Sequence, residues 1–302
     1  MKFFTFAANE VGSQSCLGVE ISPDKGLNIS KAAMEMNLDI PRSMIQLIDS
    51  HAAGIQSIQG LLENPESAKY GFSLSLATYL PPIDTGKNIF CVGRNYREHV
   101  IEGNRANGRP ENQFPEAIEF FTKPRTALIG HRGSVRRHAN LTNSLDYEVE
   151  LAIIIGKRGI DIDEKDALKH VFGYTVVNDI TARDLQKRHG QWFKGKGLDT
   201  SCPMGPVITH FSAIADPNNL ALQLEVNGET RQKHNTNDMI FNVQRIISEL
   251  SAGMTLEPGD VISTGTPQGV GFAMNPPQCL NLGDVVEAQV EGIGTLKNTI
   301  VN

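Results

Sequence analysis

Leu145-Asp146-Tyr147-Glu148-Val149-Glu150-Leu151-Ala152-Ile153-Ile154 is the stretch on which the fold turns. Alternate side chains of a strand share a face, so Asp146, Glu148 and Glu150 point one way and Leu145, Tyr147, Val149 and Leu151 the other. Read alone, three acids on one side describe a strand with a solvated surface. These acids, however, run directly into an Ile-rich segment typical of a buried strand, where an unpaired carboxylate is costly. A hard cation removes that cost.

Outward from this strand, the chain alternates β-branched runs with turns. Val149 to Ile155, Leu222 to Val226 before Asn227-Gly228, Val261-Ile262 and Val285 to Val290 read as strands, and Asn-Gly between two of them is a hairpin cue. Asp163 to His170 and Met239 to Leu250 read as helical, the second with apolar residues at Ile240, Val243, Ile246, Ile247 and Leu250. Strands that are not regularly separated by helices exclude a doubly wound sheet and predict a β-rich α+β fold. Upstream, Asn88 to Gly93 reads as a short buried strand, followed by a polar segment, Arg94 to Pro115, of the kind that forms functional loops. Pro81-Pro82 breaks the chain before it. We therefore expect a small N-terminal α+β domain over residues 1–82, with a helix-like segment around Ile45 to Leu62, and a catalytic domain over 83–302.

Three further segments carry chemistry. In Val177-Asn178-Asp179 through Gln186, a helical turn beginning near Asn178 sets Asp179, Arg183 and Gln186 on one face; read alone, the plainer reading prevails, an N-cap acid with an intrahelical Asp–Arg pair. Together, Glu148, Glu150 and Asp179 supply the carboxylate oxygens of a Mg²⁺ or Mn²⁺ site, and the lack of a nearby His in sequence disfavours zinc. His99 and Glu102 stand three apart, which on a short helix lets the carboxylate orient the imidazole as a general base; the plainer reading is an exposed His beside an incidental Glu. Lys196 sits between Gly195 and Gly197, where backbone approaches a ligand closely or simply stays flexible. The glycines of Gly265-Thr266-Pro267-Gln268-Gly269-Val270-Gly271 lack the Lys of a phosphate loop and the spacing of a dinucleotide fingerprint.

Composition narrows the function classes. Among 302 residues, 40% are hydrophobic and 21% charged, with Lys+Arg 28 against Asp+Glu 34, a net charge of −6 that argues against a nucleic-acid binder. Mean hydropathy is −0.23, and no run of apolar residues is long enough to span a bilayer. Cys16, Cys91, Cys202 and Cys279 are dispersed, with no zinc or dithiol spacing. The opening residues, broken by Asn9 and Glu10, predict no secretory signal, so the expectation is a cytoplasmic protein with reduced thiols.

Taken in order, these motifs resemble the fumarylacetoacetate hydrolase superfamily, nearest its two-domain bacterial oxaloacetate decarboxylase and acylpyruvase-like members. The resemblance rests on Val92-Gly93-Arg94-Asn95-Tyr96 with His99, Asp146 to Leu151, Gly173-Tyr174 through Gln186, Asn227-Gly228-Glu229, Asp238 to Phe241 and Gly265-Thr266-Pro267. It implies a mixed β-roll catalytic domain, a homodimer, and one Mg²⁺ or Mn²⁺ on Glu148, Glu150 and Asp179. It also implies a His99–Glu102 base dyad on a lid; Arg183, Gln186 and Lys196 would line an anionic pocket, with Lys196 or Gln186 holding the oxyanion in catalysis, and Lys123 and Thr266 would lie near the substrate. Founding members carry a further ligand Asp upstream of the His; no acid stands near Val92 here, which points away from fumarylacetoacetate as substrate.

The implied activity is C–C cleavage of a 2-oxo acid through a pyruvate enolate held on the metal, with oxaloacetate decarboxylation as the leading expectation. The alternatives are hydrolysis of acylpyruvates or fumarylpyruvate, a keto–enol or diene isomerase in which only a proton moves, and a non-catalytic binding protein that keeps the fold.

Overall fold

The computed structural model describes residues 1–7 and 15–302, so the break at Asn9-Glu10 lies outside the described residues. At its centre, Val149–Ile155 pairs antiparallel with Val171–Asn178, and every residue of both strands is buried. Side-chain alternation divides the central strand between two apolar cores. Val149, Leu151, Ile153 and Ile155 join one, while Ala152 and Ile154 join the other. Glu150 therefore shares its face with Ala152 and Ile154, in a strand buried on both sides.

The main sheet runs Gly71–Ser73, Lys25–Asn28, Ser15–Ser22, Lys2–Ala7, Cys202–His210, Val171–Asn178, Val149–Ile155, Val261–Ser263, Ile89–Gly93 and Glu119–Lys123, with two short strands alongside. It is mixed, because Val261–Ser263 pairs parallel with Ile89–Gly93. A second sheet, in the order Glu229–Asn235, Ala221–Val226, Val285–Val290, Gly294–Val301 and Ser134–Arg136, packs its apolar side chains Leu222, Leu224, Val286, Ala288 and Leu296 into the first core. This is the β-rich α+β roll expected. The hairpin cue holds: Asn227 and Gly228 take φ of 54° and 79°, the pair of positive angles a two-residue hairpin turn requires.

The first eighty residues add to the same sheet rather than starting another. Phe3 on Lys2–Ala7 pairs with Ile208 on Cys202–His210, and the helices Ile29–Glu35, Met44–Asp49 and His51–Glu63 cover the second core with Leu47, Ile48 and Ile58. The helix-like run from Ile45 is thus two helices. The helix expected from Met239 begins at Val243, where the Asn242 side chain accepts the N–H of Arg245 as a cap. Met239 and Phe241 instead fasten to the 95–96 segment: Asn95 donates to Phe241 and Thr264 carbonyls at 3.0 and 2.8 Å and accepts the Phe241 N–H at 2.8 Å. That anchor fixes the start of the helix Arg97–Ala106 inside the polar segment.

Candidate active site

Register places the acids. Val149 lies opposite Asn178, so Glu148 and Asp179 leave adjacent strands at the same end, joined by the Asp179 N–H to the Glu148 carbonyl at 2.8 Å. Glu150 is one step inside. One carboxylate oxygen from each of Glu148, Glu150 and Asp179 falls within 4.8 Å of the others, and all three residues are buried. Asp179 stands just past the end of its strand, and the following helix starts only at Arg183. The shared helical face expected for Asp179, Arg183 and Gln186 is therefore replaced by a convergence across strands.

Cations surround this cluster. Lys196 Nζ lies 2.7 Å from Glu148 Oε2 and 2.6 Å from Asp179 Oδ2. Lys123 Nζ lies 2.7 Å from Asp179 Oδ1 and also donates to the carbonyls of Ile180 and Lys196. Its three N–H bonds are thus spent, and with no exposed surface it holds Asp179 from behind and leaves no donor for a substrate. Arg183 Nη2 makes a charge contact with Glu148 Oε1 at 2.6 Å, while Nη1 donates to Gln186 Oε1 at 3.2 Å. Burial works to raise the Glu148 pKa, but Lys196 and Arg183 outweigh it and hold the carboxyl well below its ordinary value. Glu150 receives no ammonium. It accepts Ser263 Oγ–H at 2.5 Å and the Gly265 N–H at 2.9 Å, and burial, followed by the charges of Asp179 and Glu148, pushes its pKa up.

Three oxygen donors around one point, one of them short of positive charge, fit a hard divalent cation, and the Lys196 ammonium bridging the other two answers the same demand. The glycines flanking Lys196 serve packing. A Cβ on Gly195 would stand 2.5 Å from the Gln186 backbone nitrogen, and one on Gly197 2.9 Å from Pro124, so close approach is to the chain itself.

The dyad forms beside the acids. His99 Nδ1 is 2.8 Å from Glu102 Oε1, and both side chains are largely buried. Glu102 also accepts the Gly269 N–H at 3.0 Å. Thr266 donates to the Val149 carbonyl at 2.9 Å and accepts from Gln232 Nε2 at 2.8 Å, which locks the loop onto the central strand. The 265–272 loop thus presents backbone N–H groups to Glu150, Glu102 and Asp146 in turn. Its glycines were visible in the sequence, but their partners were not: the spacing fits no phosphate motif, and these acids lie over 100 residues away in sequence.

A β-roll with a buried acid triad able to chelate a divalent ion, joined through one loop to a His–Glu pair, has the make-up of an enzyme active site. Residues 88–301 match the fumarylacetoacetate (FAA) hydrolase C-terminal family, and the chain belongs to that family. Oxaloacetate tautomerase YisK of Bacillus subtilis (strain 168) is 45% identical over 304 residues, covering 98% of this chain and 99% of that protein. The mitochondrial oxaloacetate tautomerase fahd2 of Xenopus laevis is 36% identical over 287 residues, with 93% and 86% covered. Among solved structures, the fumarylacetoacetate hydrolase EaFAH from psychrophilic Exiguobacterium antarcticum superposes with a TM-score of 0.80 at 39% identity, covering 100% of this chain and 99% of that one. Among the described residues, no helix is long and apolar enough to cross a membrane.

Proposed function

We propose that the protein interconverts the keto and enol forms of oxaloacetate, with Mg²⁺ or Mn²⁺ held by Glu148, Glu150 and Asp179. The observation that carries this reading is the His99–Glu102 dyad joined to the acid triad through one loop, whose Gly269 and Gly265 N–H groups reach Glu102 and Glu150. Two similar proteins bear the name oxaloacetate tautomerase, which moves the weight from decarboxylation, the leading expectation from sequence, to the variant in which only a proton moves.

When bound, the ion polarises the 2-oxo group and acidifies the neighbouring C3–H. The remaining work falls to side chains. A carboxylate only accepts, so His99 Nδ1 carries the hydrogen donated to Glu102, and Nε2 keeps the lone pair that removes a proton from C3. As the C3–H bond breaks, its electron pair forms the C2–C3 double bond and charge passes to the 2-oxo oxygen. Lys196, already at the edge of the cluster, stabilises that oxygen, and the proton held on His99 Nε2 is returned to it, which completes the enol with no net gain or loss of protons. Arg183 and Gln186 bind substrate carboxylates, and Thr266 supports the loop facing them. The carbon skeleton stays whole.

In the same proposal, the protein works in the cytoplasm as a homodimer, to be checked by sedimentation. The proposed division at residue 82 puts every site residue in the 83–302 unit.

The test adds enol oxaloacetate to the Mn²⁺-loaded enzyme and follows enol ultraviolet absorbance beside a coupled assay for pyruvate. Accelerated loss of absorbance without pyruvate supports tautomerisation. Pyruvate formed in step with that loss would restore decarboxylation, and no acceleration of either would remove the oxaloacetate reading.

A further inference from the structure

Asp146 is the acid of the 145–154 stretch that the metal cluster leaves over. Its carboxylate is completely buried and accepts four hydrogen bonds. Oδ2 takes Arg183 Nε–H at 2.9 Å and the Phe272 N–H at 3.1 Å; Oδ1 takes the Gly271 N–H at 2.8 Å and the Tyr147 N–H at 3.0 Å. A carboxylate has about four lone-pair sites, so this one has no capacity left for substrate or metal. Whatever it does, it does through the groups it holds.

Those groups belong to two parts of the site. Arg183 reaches Glu148 and Gln186, and its guanidinium lies 4.4 Å from the Phe272 ring centroid. Phe272 sits in the turn Gly271–Ala273, which packs against the helix Arg97–Ala106 that carries His99 and Glu102. The turn admits no other residue at 271: a Cβ there would stand 2.1 Å from the Gln278 carbonyl and 2.7 Å from Asp146 Oδ1. One carboxylate therefore ties the guanidinium beside a metal ligand to the platform under the dyad helix.

We propose that Asp146 is a positioning residue that locks Arg183 and the 271–273 turn into one arrangement, so that the grip on the substrate carboxylate and the seating of the dyad helix are set together. The inference rests on the keto-acid reading of the site. Asp146→Asn is nearly isosteric and separates the two halves of the carboxylate. Its oxygen still accepts from Gly271 and Tyr147, while its amide faces Arg183 Nε–H and the Phe272 N–H, donor against donor.

The experiment compares Asp146→Asn, Arg183→Met and the double variant by Mn²⁺ titration, oxalate binding to the Mn²⁺-loaded protein, kcat and KM for oxaloacetate, and amide hydrogen exchange without substrate. Asp146→Asn is expected to weaken oxalate and raise KM by about tenfold to a hundredfold, the effect of one charge-assisted hydrogen bond lost. Mn²⁺ affinity should not fall, and faster exchange should be confined to 97–106 and 269–273. In the double variant, Asp146→Asn should add nothing to the oxalate loss caused by Arg183→Met. Additive losses, oxalate binding and exchange like the wild type, or exchange raised throughout the chain would each overturn the proposal. Should Asp146→Asn fail to fold, Phe272→Leu leaves the carboxylate intact, removes the ring beneath Arg183, and is expected to shift oxalate affinity in the same direction; an unchanged affinity would count against it. Oxalate binding and exchange decide the role of Asp146 even if oxaloacetate is not turned over, so failure of the tautomerase reading shows separately.

Discussion

Replacing Lys196 by Met deletes the ammonium that bridges Glu148 and Asp179 at 2.7 and 2.6 Å while keeping most of the side-chain volume. Lys196 is only 3% exposed, so water does not take its place freely. Glu148 keeps Arg183 and Asp179 keeps Lys123, but two carboxylates then face each other and Glu150 without the bridging charge. Removing one partner of a buried pair costs about 3–5 kcal/mol, and the retained partners here place the expected loss toward 3. A divalent ion restores more charge than the ammonium supplied. Urea unfolding with and without Mn²⁺ should therefore show a variant about 3 kcal/mol less stable than wild type in the metal-free state, with much of that gap closed by Mn²⁺. The gain in stability from Mn²⁺ should accordingly be larger in the variant than in the wild type. Metal-free stability equal to wild type, or a deficit that Mn²⁺ leaves untouched, would refute the idea that the ammonium and the cation answer the same buried charge.

His99→Asn should lower the tautomerisation rate by about 10²- to 10⁴-fold, the range for a lost general base, with Mn²⁺ affinity preserved by titration. Glu102→Gln should fall between that variant and wild type, because the Gln oxygen still accepts a hydrogen bond from either His99 or Gly269. His131 should make stability pH-dependent: burial, then the charges of Arg132 and Lys297, lower its pKa from 6.5 to about 4, and its Nδ1 accepts the Lys297 N–H at 3.1 Å. The unfolded chain takes up a proton below 6.5 that the folded chain refuses until about 4, so this contribution is complete above 6.5 and lost as pH falls through that window. By pH 4 the loss approaches about 3 kcal/mol relative to His131→Gln, measured by urea unfolding of both proteins; parallel pH curves would contradict it.

The legible part of this protein was what period and local spacing encode. Alternation from Leu145 to Leu151 separated acids from apolar residues as the cores do, and the three-residue step from His99 to Glu102 became a 2.8 Å contact because a helix forms there. What spacing could not encode was long-range partnership. Arg183 appeared four residues after Asp179 and invited an intrahelical pair, yet the helix starts at Arg183 itself and the guanidinium turns to Asp146 and Glu148. Lys123 ends the strand Glu119–Lys123, and only the assembled fold brings its ammonium to Asp179. The glycines at 265, 269 and 271 had no readable purpose until the loop brought their N–H groups to three separate acids.

Charge explains why these particular residues are gathered. The buried constellation holds four carboxylates, Asp146, Glu148, Glu150 and Asp179, against three cations, Lys123, Lys196 and Arg183. One negative charge is left over in a region where an uncompensated ion is expensive. Without metal, the simplest remedy is a proton, and Glu150, the acid with no ammonium partner, is the group whose pKa rises to accept it. A bound divalent ion would displace that proton and reverse the sign, leaving one positive charge that an anionic keto acid would meet. Metal binding should therefore release protons, and a further basic residue among the cations would work against it by satisfying the acids without an ion. The three cations act at different points of the cluster. Lys123 holds Asp179, Arg183 braces Glu148 from the Asp146 side, and Lys196 bridges Glu148 and Asp179 where a chelated ion would have to compete with it.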